Sequence, residues 1–492
     1  MKKKTSTIFA LGLAAVCALS CVACGTEETQ PITGTFVLDS ATMDGVDCTD
    51  DFQTYTATFS EDGNLRVVIG YLGSIETRNS TYTFDGTTVT ETYREDTFTY
   101  TKEGEGFRTQ YDGISVLLGR EEEETGPQPV DFEDVLFGPD VSDSKIFNYC
   151  PAILKETVDG EEWMHVWYCT NKDDGVIMDH IGYRKGVKQD DGKWLFSEQQ
   201  IVLAPTPGTW DSRHTCDPAV IRGEFRYEGN DYTYLMAYLG CTTEDYQKNE
   251  TGIAVANAPE GPWVKVASLN PIVPWYDNGV EAEEQEKYED MQGTSRIYWG
   301  TGMPALISLD GQGDVLMFYQ STLQGTGIQR WNFSDLDNPT CQFTTRITHN
   351  GIVNSAGQRC NIGIPDFAYD PVAKRFYVCG VTNEKNPADV TTTRVNSHSM
   401  VAYLEDVQST EQLCTLLQSG SYVWKMAGFV GPSDTGWERN HNPGIVRDER
   451  GFLPESDGIS VIVSTGHNSW DNENIFTYRL HGATISLEDF LT

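Results

Sequence analysis

The sequence predicts an all-β protein with two domains: a small antiparallel barrel or sandwich, followed by a five-bladed β-propeller. Two observations carry this prediction. Asp-Gly pairs separate short alternating strands near the start of the chain, and one proline-centred phrase recurs five times in the remainder. The 492 residues include 73 acidic and 35 basic side chains, a formal net charge of −38. So acidic a chain repels phosphate backbones, which argues against nucleic acid as a partner.

The N-terminus predicts export. Lysines at positions 2–4 precede an apolar run at 8–19, which is shorter than the roughly 20 residues that a membrane-spanning helix needs. The small residues after this run precede cysteines, and the stretch resembles a bacterial lipoprotein signal peptide (residues 1–24) in which Cys24 is lipidated. An ordinary secretory signal is the alternative. We expect an exported protein of the bacterial cell envelope, lipid-anchored at the outer membrane or cell surface.

The cysteine count is informative about redox state. Three of the twelve cysteines lie in the signal peptide, which leaves nine. An oxidising compartment favours disulfides, and an odd number leaves at least one cysteine outside an internal bridge. No C-x-x-C pair follows the signal peptide, so we expect structural bridges or buried thiols and no metal site.

The sequence of residues 31–120 predicts a small antiparallel β domain. Its segments are rich in Thr, Tyr, Val and Phe, and Asp-Gly pairs at 62–63, 85–86 and 112–113 stand between them. Asp-Gly between alternating strands predicts hairpins, because type I′ turns need positive φ. The opening Thr-Gly-Thr-Phe (33–36) and the meander after it resemble lipocalin-like small barrels, and we interpret the domain as a spacer or accessory module. The glutamate-rich, Gly/Pro-containing segment 121–130 predicts a solvated linker.

The repeated phrase predicts a five-bladed propeller over residues 131–492. Each proline-centred phrase is followed by a turn and a second apolar strand, and the prolines recur at intervals of 67, 86, 61 and 78 residues. Proline suits the first residue of a strand, where its missing N–H costs no ladder bond. We expect five inner strands around one axis, with residues 130–137 adding the outer strand of the last blade. The acidic insertion 277–290 is predicted to be a solvated surface loop, with a substrate lid as the alternative. The prolines are Pro151, Pro218, Pro304, Pro365 and Pro443.

Two of the proline-centred phrases and one further stretch carry a family resemblance. HTCDPAVI (214–221), GIAVANAPEGPWV (252–264) and WERNHNPGIVRD (437–448) resemble the five-bladed propeller glycoside hydrolases of the family 43 type and its relatives. The resemblance implies three carboxylates at the mouth of the axis. Asp217 matches the carboxylate that precedes the second proline, whereas Cys150 stands at the first position and no glutamate stands near Pro304.

Four residues are candidates for catalysis: Asp217, Asp366, Glu438 and His441. Glycoside hydrolysis needs two carboxyl groups beside one sugar, and inner strands that converge on an axis can supply them from distant parts of the chain. Asp366 replaces the small residue of the other phrases; a buried aspartate bonded to nearby backbone is the alternative. His441 can act as an acid, a base or a metal ligand, and a histidine satisfied by its asparagine neighbours is the alternative.

A second set of residues can bind the substrate. Arginine forks suit sugar carboxylates, and aromatic rings can stack on sugar faces, although packing is the alternative for each. These residues are Arg213, His214, Arg439, Trp210, Trp299 and Trp437. We therefore expect a monomeric glycoside hydrolase acting on poly- or oligosaccharides that requires no cofactor, with room for a structural calcium on the axis. A non-catalytic carbohydrate-binding or scaffold lipoprotein is the alternative.

Overall fold

A computed structural model gives the fold of most of the chain. The chain divides into two compact units, Met1–Thr125 and Gly126–Thr492. The predicted signal peptide with Cys24, most of the predicted linker and the acidic insertion lie outside the described residues. Those described are 32–120 apart from 61, 73 and 95, then 127–138, 147–172, 176–243, 248–275, 299–321, 325–381, 397–454, 458–466 and 478–486.

The first unit is an antiparallel sheet that closes on itself. Its strands are β1 (Gly34–Met43), β2 (Val46–Asp47), β3 (Phe52–Phe59), β4 (Asn64–Tyr71), β5 (Ser74–Phe84), β6 (Thr88–Tyr93), β7 (Asp96–Glu103), β8 (Gly106–Tyr111) and β9 (Ile114–Arg120). They pair largely in chain order, and β9 returns to β1, so β1 and β3–β9 form an eight-stranded barrel-like ring. All three Asp-Gly pairs join consecutive strands, which confirms the predicted hairpins. Asp112 and Gly113 both have positive φ, 49° and 82°, as a type I′ turn requires.

The interior of this barrel is filled by side chains. Alternate residues of its strands point inward, and rings such as Phe36 and Phe59 meet edge to face with centroids 5.5 Å apart. A charged pair is buried with them: Arg78 Nε lies 3.1 Å from Glu91 Oε1, and Tyr100 Oη donates to Glu91 Oε2 at 2.6 Å. The barrel therefore compensates its interior charges internally.

The second unit contains 21 strands among the described residues. They are β10 (Val135–Phe137), β11 (Asn148–Val158), β12 (Glu161–Thr170), β13 (His180–Lys188), β14 (Trp194–Phe196), β15 (Gln200–Leu203), β16 (His214–Tyr227), β17 (Asn230–Cys241), β18 (Glu250–Ala256), β19 (Val264–Lys265), β20 (Thr301–Ser308), β21 (Asp314–Ser321), β22 (Gly325–Asn332), β23 (Thr340–Arg346), β24 (Gly363–Asp370), β25 (Arg375–Val381), β26 (Ser399–Leu404), β27 (Lys425–Val430), β28 (Arg439–Arg447), β29 (Gly458–Gly466) and β30 (Arg479–Ser486).

These strands form antiparallel groups that follow one another along the chain. β16–β19, β20–β23 and β24–β27 are separate four-stranded sheets. A larger sheet joins β11–β15 to the group β28, β29, β30 and β10 through a parallel pairing of β11 with β28, at Ile153↔Val446 and Leu154↔Arg447. The first strands of the groups contact one another in the order β11, β16, β20, β24, β28 and back to β11. The unit is therefore all-β and propeller-like, with the proline phrases on its innermost strands.

The start and the end of the second unit meet in one sheet. β10 pairs with β30 at Val135↔His481 and Phe137↔Leu480, which confirms the predicted outer strand. The small residue after Pro443 also has a packing reason, because a Cβ on Gly444 would lie 2.2 Å from the carbonyl oxygen of Pro151. The innermost strands therefore approach one another closely around the axis.

Helices are minor elements among the described residues. The longest spans Thr410–Ser419, where the Ser409 side chain caps the N-terminus by accepting from the Gln412 N–H at 3.2 Å. A four-residue helix, Pro432–Thr435, precedes β28. Among all the residues that the structure describes, no helix is both long enough and apolar enough to cross a bilayer.

Candidate functional site

The residue before each repeated proline has an unusual backbone conformation. All five such residues have positive φ, between 46° and 49°, and each lies at a register shift between the inner strand and its neighbour. Positive φ is uncommon outside glycine, and such strained positions cluster at functional sites. The residues are Cys150, Asp217, Met303, Ile364 and Asn442.

These bulges surround one cavity on the axis. Its volume is about 30 Å³, the space of a single water molecule or ion. All five repeated prolines line it, so the sequence repeat marks strands that meet in space. The full lining is Cys150, Pro151, Ala152, Asp217, Pro218, Met303, Pro304, Ile364, Pro365, Asp366, Asn442, Pro443 and Arg447.

Asp217 is the most perturbed carboxyl group of this cavity. Only 5% of the residue is exposed. Burial raises the pKa of Asp217 to about 7. Hydrogen bonds from the Cys150 thiol and the Met303 N–H oppose this rise, whereas the negative charge of Asp179 adds to it. Among the described residues, no lysine or arginine forms an ion pair with Asp217. The carboxyl is therefore divided between its two protonation states near neutral pH, which suits a group that transfers protons.

A cluster of sulfur atoms lies beside Asp217. Cys169 in β12 and Cys216 in β16 form a disulfide with Cα atoms 5.0 Å apart, and the Cys216 Sγ lies 3.2 Å from Asp217 Oδ1. The Cys150 thiol is free and contacts the amide nitrogen of Asn442. Burial raises the pKa of the Cys150 thiol, which therefore keeps its proton at neutral pH. The sequence predicts bridges or buried thiols, and both occur here, although the pairing could not be predicted.

Asp366 lines the same cavity but has strong partners. Its Oδ1 lies 2.9 Å from Arg447 Nη1, and its carboxylate accepts from the Ile445 and Phe367 N–H groups at 2.8 and 2.9 Å. Burial raises the pKa of Asp366, while Arg447 and the two N–H donors oppose the rise. The bonds to backbone match the structural alternative for this residue. Arg447 also donates to the Phe367 carbonyl at 2.7 Å, so the pair ties β24 to β28.

Sequence reasoning overlooked a polar group next to Asp217. Asp179 is buried, its Oδ2 lies 3.2 Å from Tyr149 Oη, and its N–H donates to His214 Nδ1 at 3.1 Å. Asp179 precedes β13 and lies outside the proline phrases, so the repeat could not reveal it. His214 is fully buried in this group and does not line the cavity.

The last inner strand places its candidates away from the cavity. His441 is buried, and burial together with the charge of Arg439 lowers its pKa to about 3, so the imidazole is neutral at ordinary pH. Its Nδ1 has no hydrogen-bond partner among the described residues. Arg439 is buried, and its charge lies close enough to Tyr478 to affect that hydroxyl. Glu438 is half-buried, and neither Glu438 nor His441 lines the axial cavity.

The other binding candidates lie in packed surroundings. Trp299 packs against the cluster of Cys150, Cys169, Cys216, Leu239 and Cys241. The ring of Trp210 packs on Tyr238 with centroids 5.4 Å apart. Arg479 covers the Trp437 ring at 4.6 Å. Arg213 Nη2 donates to the carbonyl of Ile177 at 3.1 Å. Trp299 is therefore the aromatic candidate that packs against the cluster containing Cys150.

The donor atoms around the axis indicate which metals fit. Calcium takes six to eight oxygen ligands. The lining side chains supply carboxylate or amide oxygens from Asp217, Asp366 and Asn442. One of the two Asp366 oxygens already forms a salt bridge with Arg447. The lining also includes the sulfur atoms of Cys150 and Met303. This set fits calcium poorly.

Comparisons with known proteins return glycoside hydrolases among solved structures. A family 117 glycoside hydrolase of the marine bacterium Zobellia galactanivorans has 13% identity and a TM-score of 0.40, over 73% of this chain and 91% of that one. An exo-β-1,3-galactanase of Phanerochaete chrysosporium, solved with β-1,3-galactotriose, has 12% identity and a TM-score of 0.42, over 74% and 65%. The α-L-arabinofuranosidase of Podospora anserina, solved with cellotriose, has 10% identity and a TM-score of 0.41, over 73% and 97%.

The sequence comparisons return nothing comparable. No family model matches the chain, and no curated protein matches it significantly. The structural neighbours are glycoside hydrolases, but their identities and TM-scores are low. We therefore base the fold on the strand pairing described above, and the function on the site.

Proposed function

We propose that the second unit is a five-bladed propeller that hydrolyses glycosidic bonds in poly- or oligosaccharides. One observation carries the proposal: two carboxyl groups from different inner strands, Asp217 and Asp366, line one cavity in different electrostatic environments. Asp366 has an arginine beside it, whereas Asp217 lies among sulfur atoms and apolar groups. Environments that separate the behaviour of two carboxyls are how glycosidases assign an acid and a base.

The chemistry assigns the proton donor to Asp217. With a pKa of about 7, this carboxyl is protonated in much of the protein at neutral pH and can protonate a leaving glycosidic oxygen. Asp366, held beside Arg447, is the candidate for the second carboxyl, as base or nucleophile. Glu438 is the other candidate for that role, and His441 assists as a neutral imidazole.

The rest of the protein is assigned to binding and export. Trp299 offers a ring against the cluster containing Cys150, and Trp210, Trp437, Arg213, His214 and Arg439 complete the proposed binding set. The N-terminal unit is a lipocalin-like spacer, and the chain is exported and lipid-anchored through Cys24. The protein acts as a monomer on a carbohydrate substrate and requires no cofactor.

Substitution of Asp217 tests this function. Asp217→Asn keeps the shape of the side chain but cannot donate a carboxylic proton, so we expect at least a ~100-fold loss of turnover on a panel of oligosaccharides, a typical size for general acid catalysis. In the wild type, turnover should fall as the pH rises through about 7, because Asp217 loses its proton there. Circular dichroism checks that the fold survives.

Asp370→Asn is the matched control. Asp370 ends the same strand as Asp366, accepts from two backbone N–H groups in a turn, and does not line the cavity. This variant should keep wild-type turnover. Full activity in Asp217→Asn would remove Asp217 from the mechanism.

A second function, glycan binding without turnover, is favoured by the size of the cavity. A volume of about 30 Å³ admits a water molecule and excludes a sugar ring, so a saccharide must bind above the cavity. Calorimetry with the same panel separates the two functions: saturable binding without any cleavage product supports the binding protein, and detectable cleavage rules it out.

A further inference from the structure

We propose that reduction of the Cys169–Cys216 disulfide creates a zinc site formed by three thiolates, from Cys150, Cys169 and Cys216, and the carboxylate of Asp217. One ligand atom from each of these four residues lies within 4.8 Å of the others. The four residues come from three strands, β11, β12 and β16, that the fold holds together. The inference is independent of the proposed glycosidase activity.

The spacing of the donor atoms matches tetrahedral coordination. Zinc binds sulfur at about 2.3 Å and carboxylate oxygen at about 2.0–2.2 Å, so neighbouring ligands of one ion lie roughly 3.5–3.8 Å apart. The Cys216 Sγ already lies 3.2 Å from Asp217 Oδ1, and the Cys169 Sγ lies 3.7 Å from it. Only the two bridged sulfur atoms must separate, which reduction permits.

Hydrogen-bond donors lie beside two of the three sulfur atoms. The Asn442 amide nitrogen contacts the Cys150 Sγ, and the Asp217 N–H donates to the Cys169 Sγ at 2.9 Å. The Tyr149 hydroxyl lies 3.1 Å from the Cys216 Sγ but donates its proton to Asp179 Oδ2 at 3.2 Å. A disulfide accepts hydrogen bonds weakly, whereas thiolates on a metal gain from such donors. The donors beside Cys150 and Cys169 would stabilise these two sulfur atoms as metal-bound thiolates.

An independent observation also points to a guest at this position. Asn442 is only 3% exposed and lines the axial cavity, yet its Oδ1 has no hydrogen-bond partner among the described residues. Buried polar atoms normally have partners. The cavity has room for about one water molecule, and a water held beside the proposed zinc would satisfy this oxygen.

The reaction balances with a dithiol as reductant. A dithiol gives two electrons and two protons to the Cys169–Cys216 bond, becomes a disulfide itself, and leaves two thiols. Zinc then displaces three thiol protons, from Cys150, Cys169 and Cys216, to solvent while Asp217 binds as a carboxylate. Zinc would thus occupy the carboxyl that the proposed glycosidase uses as its acid, and this last consequence rests on that function.

Metal titration of the full-length protein tests the site directly. The protein is reduced anaerobically with a phosphine and titrated with Co²⁺, whose thiolate charge-transfer absorption reports sulfur ligation. Zinc content is measured by mass spectrometry after dialysis. We expect the reduced protein to bind a single tight ion with thiolate bands, and the oxidised protein to bind none at this site.

Two variants separate this site from other thiols. Cys150→Ser should weaken Co²⁺ binding by about 100-fold or more, because a ligand is lost. Cys379→Ser, which removes a buried thiol in β25 outside the cluster, should leave binding unchanged. Asp217→Asn provides a second ligand variant if Cys150→Ser folds poorly by circular dichroism. The proposal fails if the reduced protein shows no thiolate band, or if both ligand variants bind like the wild type; neither result depends on glycosidase activity.

Discussion

Two buried carboxyl groups have opposite kinds of neighbours: one lies inside the N-terminal barrel, and the other lies at the axial cavity of the second unit. In the barrel, Glu91 is fully buried, and Arg78, Tyr100 and Ser80 all donate to its carboxylate. On the axis, Asp217 is almost as deeply buried, but its neighbours are thiol and disulfide sulfur atoms. The first carboxyl group has an ion pair and three hydrogen-bond donors, whereas the second lies without a cation among sulfur atoms.

This difference indicates which region carries chemistry. A buried ion pair with complete hydrogen bonding holds a fold in one arrangement, and breaking it is expensive. A buried carboxyl without a cation, with a pKa of about 7, costs stability when it ionises and is a typical feature of functional sites. The Arg78–Glu91 pair therefore stabilises the fold, whereas Asp217 has the features of a reactive group.

The largest effect should follow from breaking the barrel pair. Arg78→Ala leaves the Glu91 carboxylate buried without its cation, and we expect the free energy of unfolding of the barrel to fall by about 3–5 kcal/mol. Urea unfolding followed by near-ultraviolet circular dichroism measures this loss, since the barrel core is rich in tyrosine and phenylalanine.

A double variant serves as its control. Arg78→Met with Glu91→Leu removes both charges and should recover most of the lost stability, because apolar replacement of a buried pair is often neutral. A mild loss in Arg78→Ala, comparable with that of the double variant, would show that Glu91 needs no counter-charge, and the contrast with Asp217 would collapse.

A smaller loss is expected at Asp366, the axial carboxyl that resembles Glu91. Asp366→Asn leaves Arg447 buried without its carboxylate, and we expect a loss of about 3 kcal/mol in the urea unfolding of the second unit. Asp370→Asn, at the exposed end of the same strand, should change stability by less than about 0.5 kcal/mol. Equal stabilities of the two variants would mean that Asp366 is not a structural anion.

The sequence predicts the arrangement of the inner strands well. The proline repeat identifies five segments whose prolines all line one cavity, and the segment before Pro151 supplies the outer strand β10. Repeated phrases report on repeated backbone environments, so their positions can be predicted without a structure. The Asp-Gly hairpins of the barrel were predictable for a similar reason, since glycine provides the φ that the turn needs.

The side-chain directions could not be predicted in the same way. Regular alternation would place Asp217 and Asp366 on one side of the inner strands. The structure instead has a bulge at each proline, with a left-handed residue such as Ile364 before it, where a branched side chain is unfavourable. Both aspartates do line the cavity, but the bulge determines their directions. Asp179 and the Cys169–Cys216 pairing depend on contacts between sheets, which one sequence does not reveal.

The smallest change in the free energy of unfolding is expected for Asp217→Asn, and it is a gain where the other variants lose stability. The pKa of Asp217 is raised from 3.8 to about 7, so between these values the folded protein binds more protons than the unfolded chain. The contribution of Asp217 to the free energy of unfolding therefore falls as the pH rises from about 4 to about 7, and then levels off. Asparagine does not ionise, so Asp217→Asn escapes this penalty.

The measurable consequence is a pH-dependent difference between the two proteins. A three-unit shift corresponds to about 4 kcal/mol, but the amide also weakens the hydrogen bonds from Cys150 and Met303, so we expect a gain of about 2 kcal/mol for Asp217→Asn at pH 8. Near pH 4 the gain should vanish or change sign. Urea unfolding across this range, with Asp370→Asn following the wild-type curve, decides the matter. Parallel curves for Asp217→Asn and wild type would mean that the axial carboxyl ionises as freely as one in water, which would remove the physical reason for assigning it the role of proton donor.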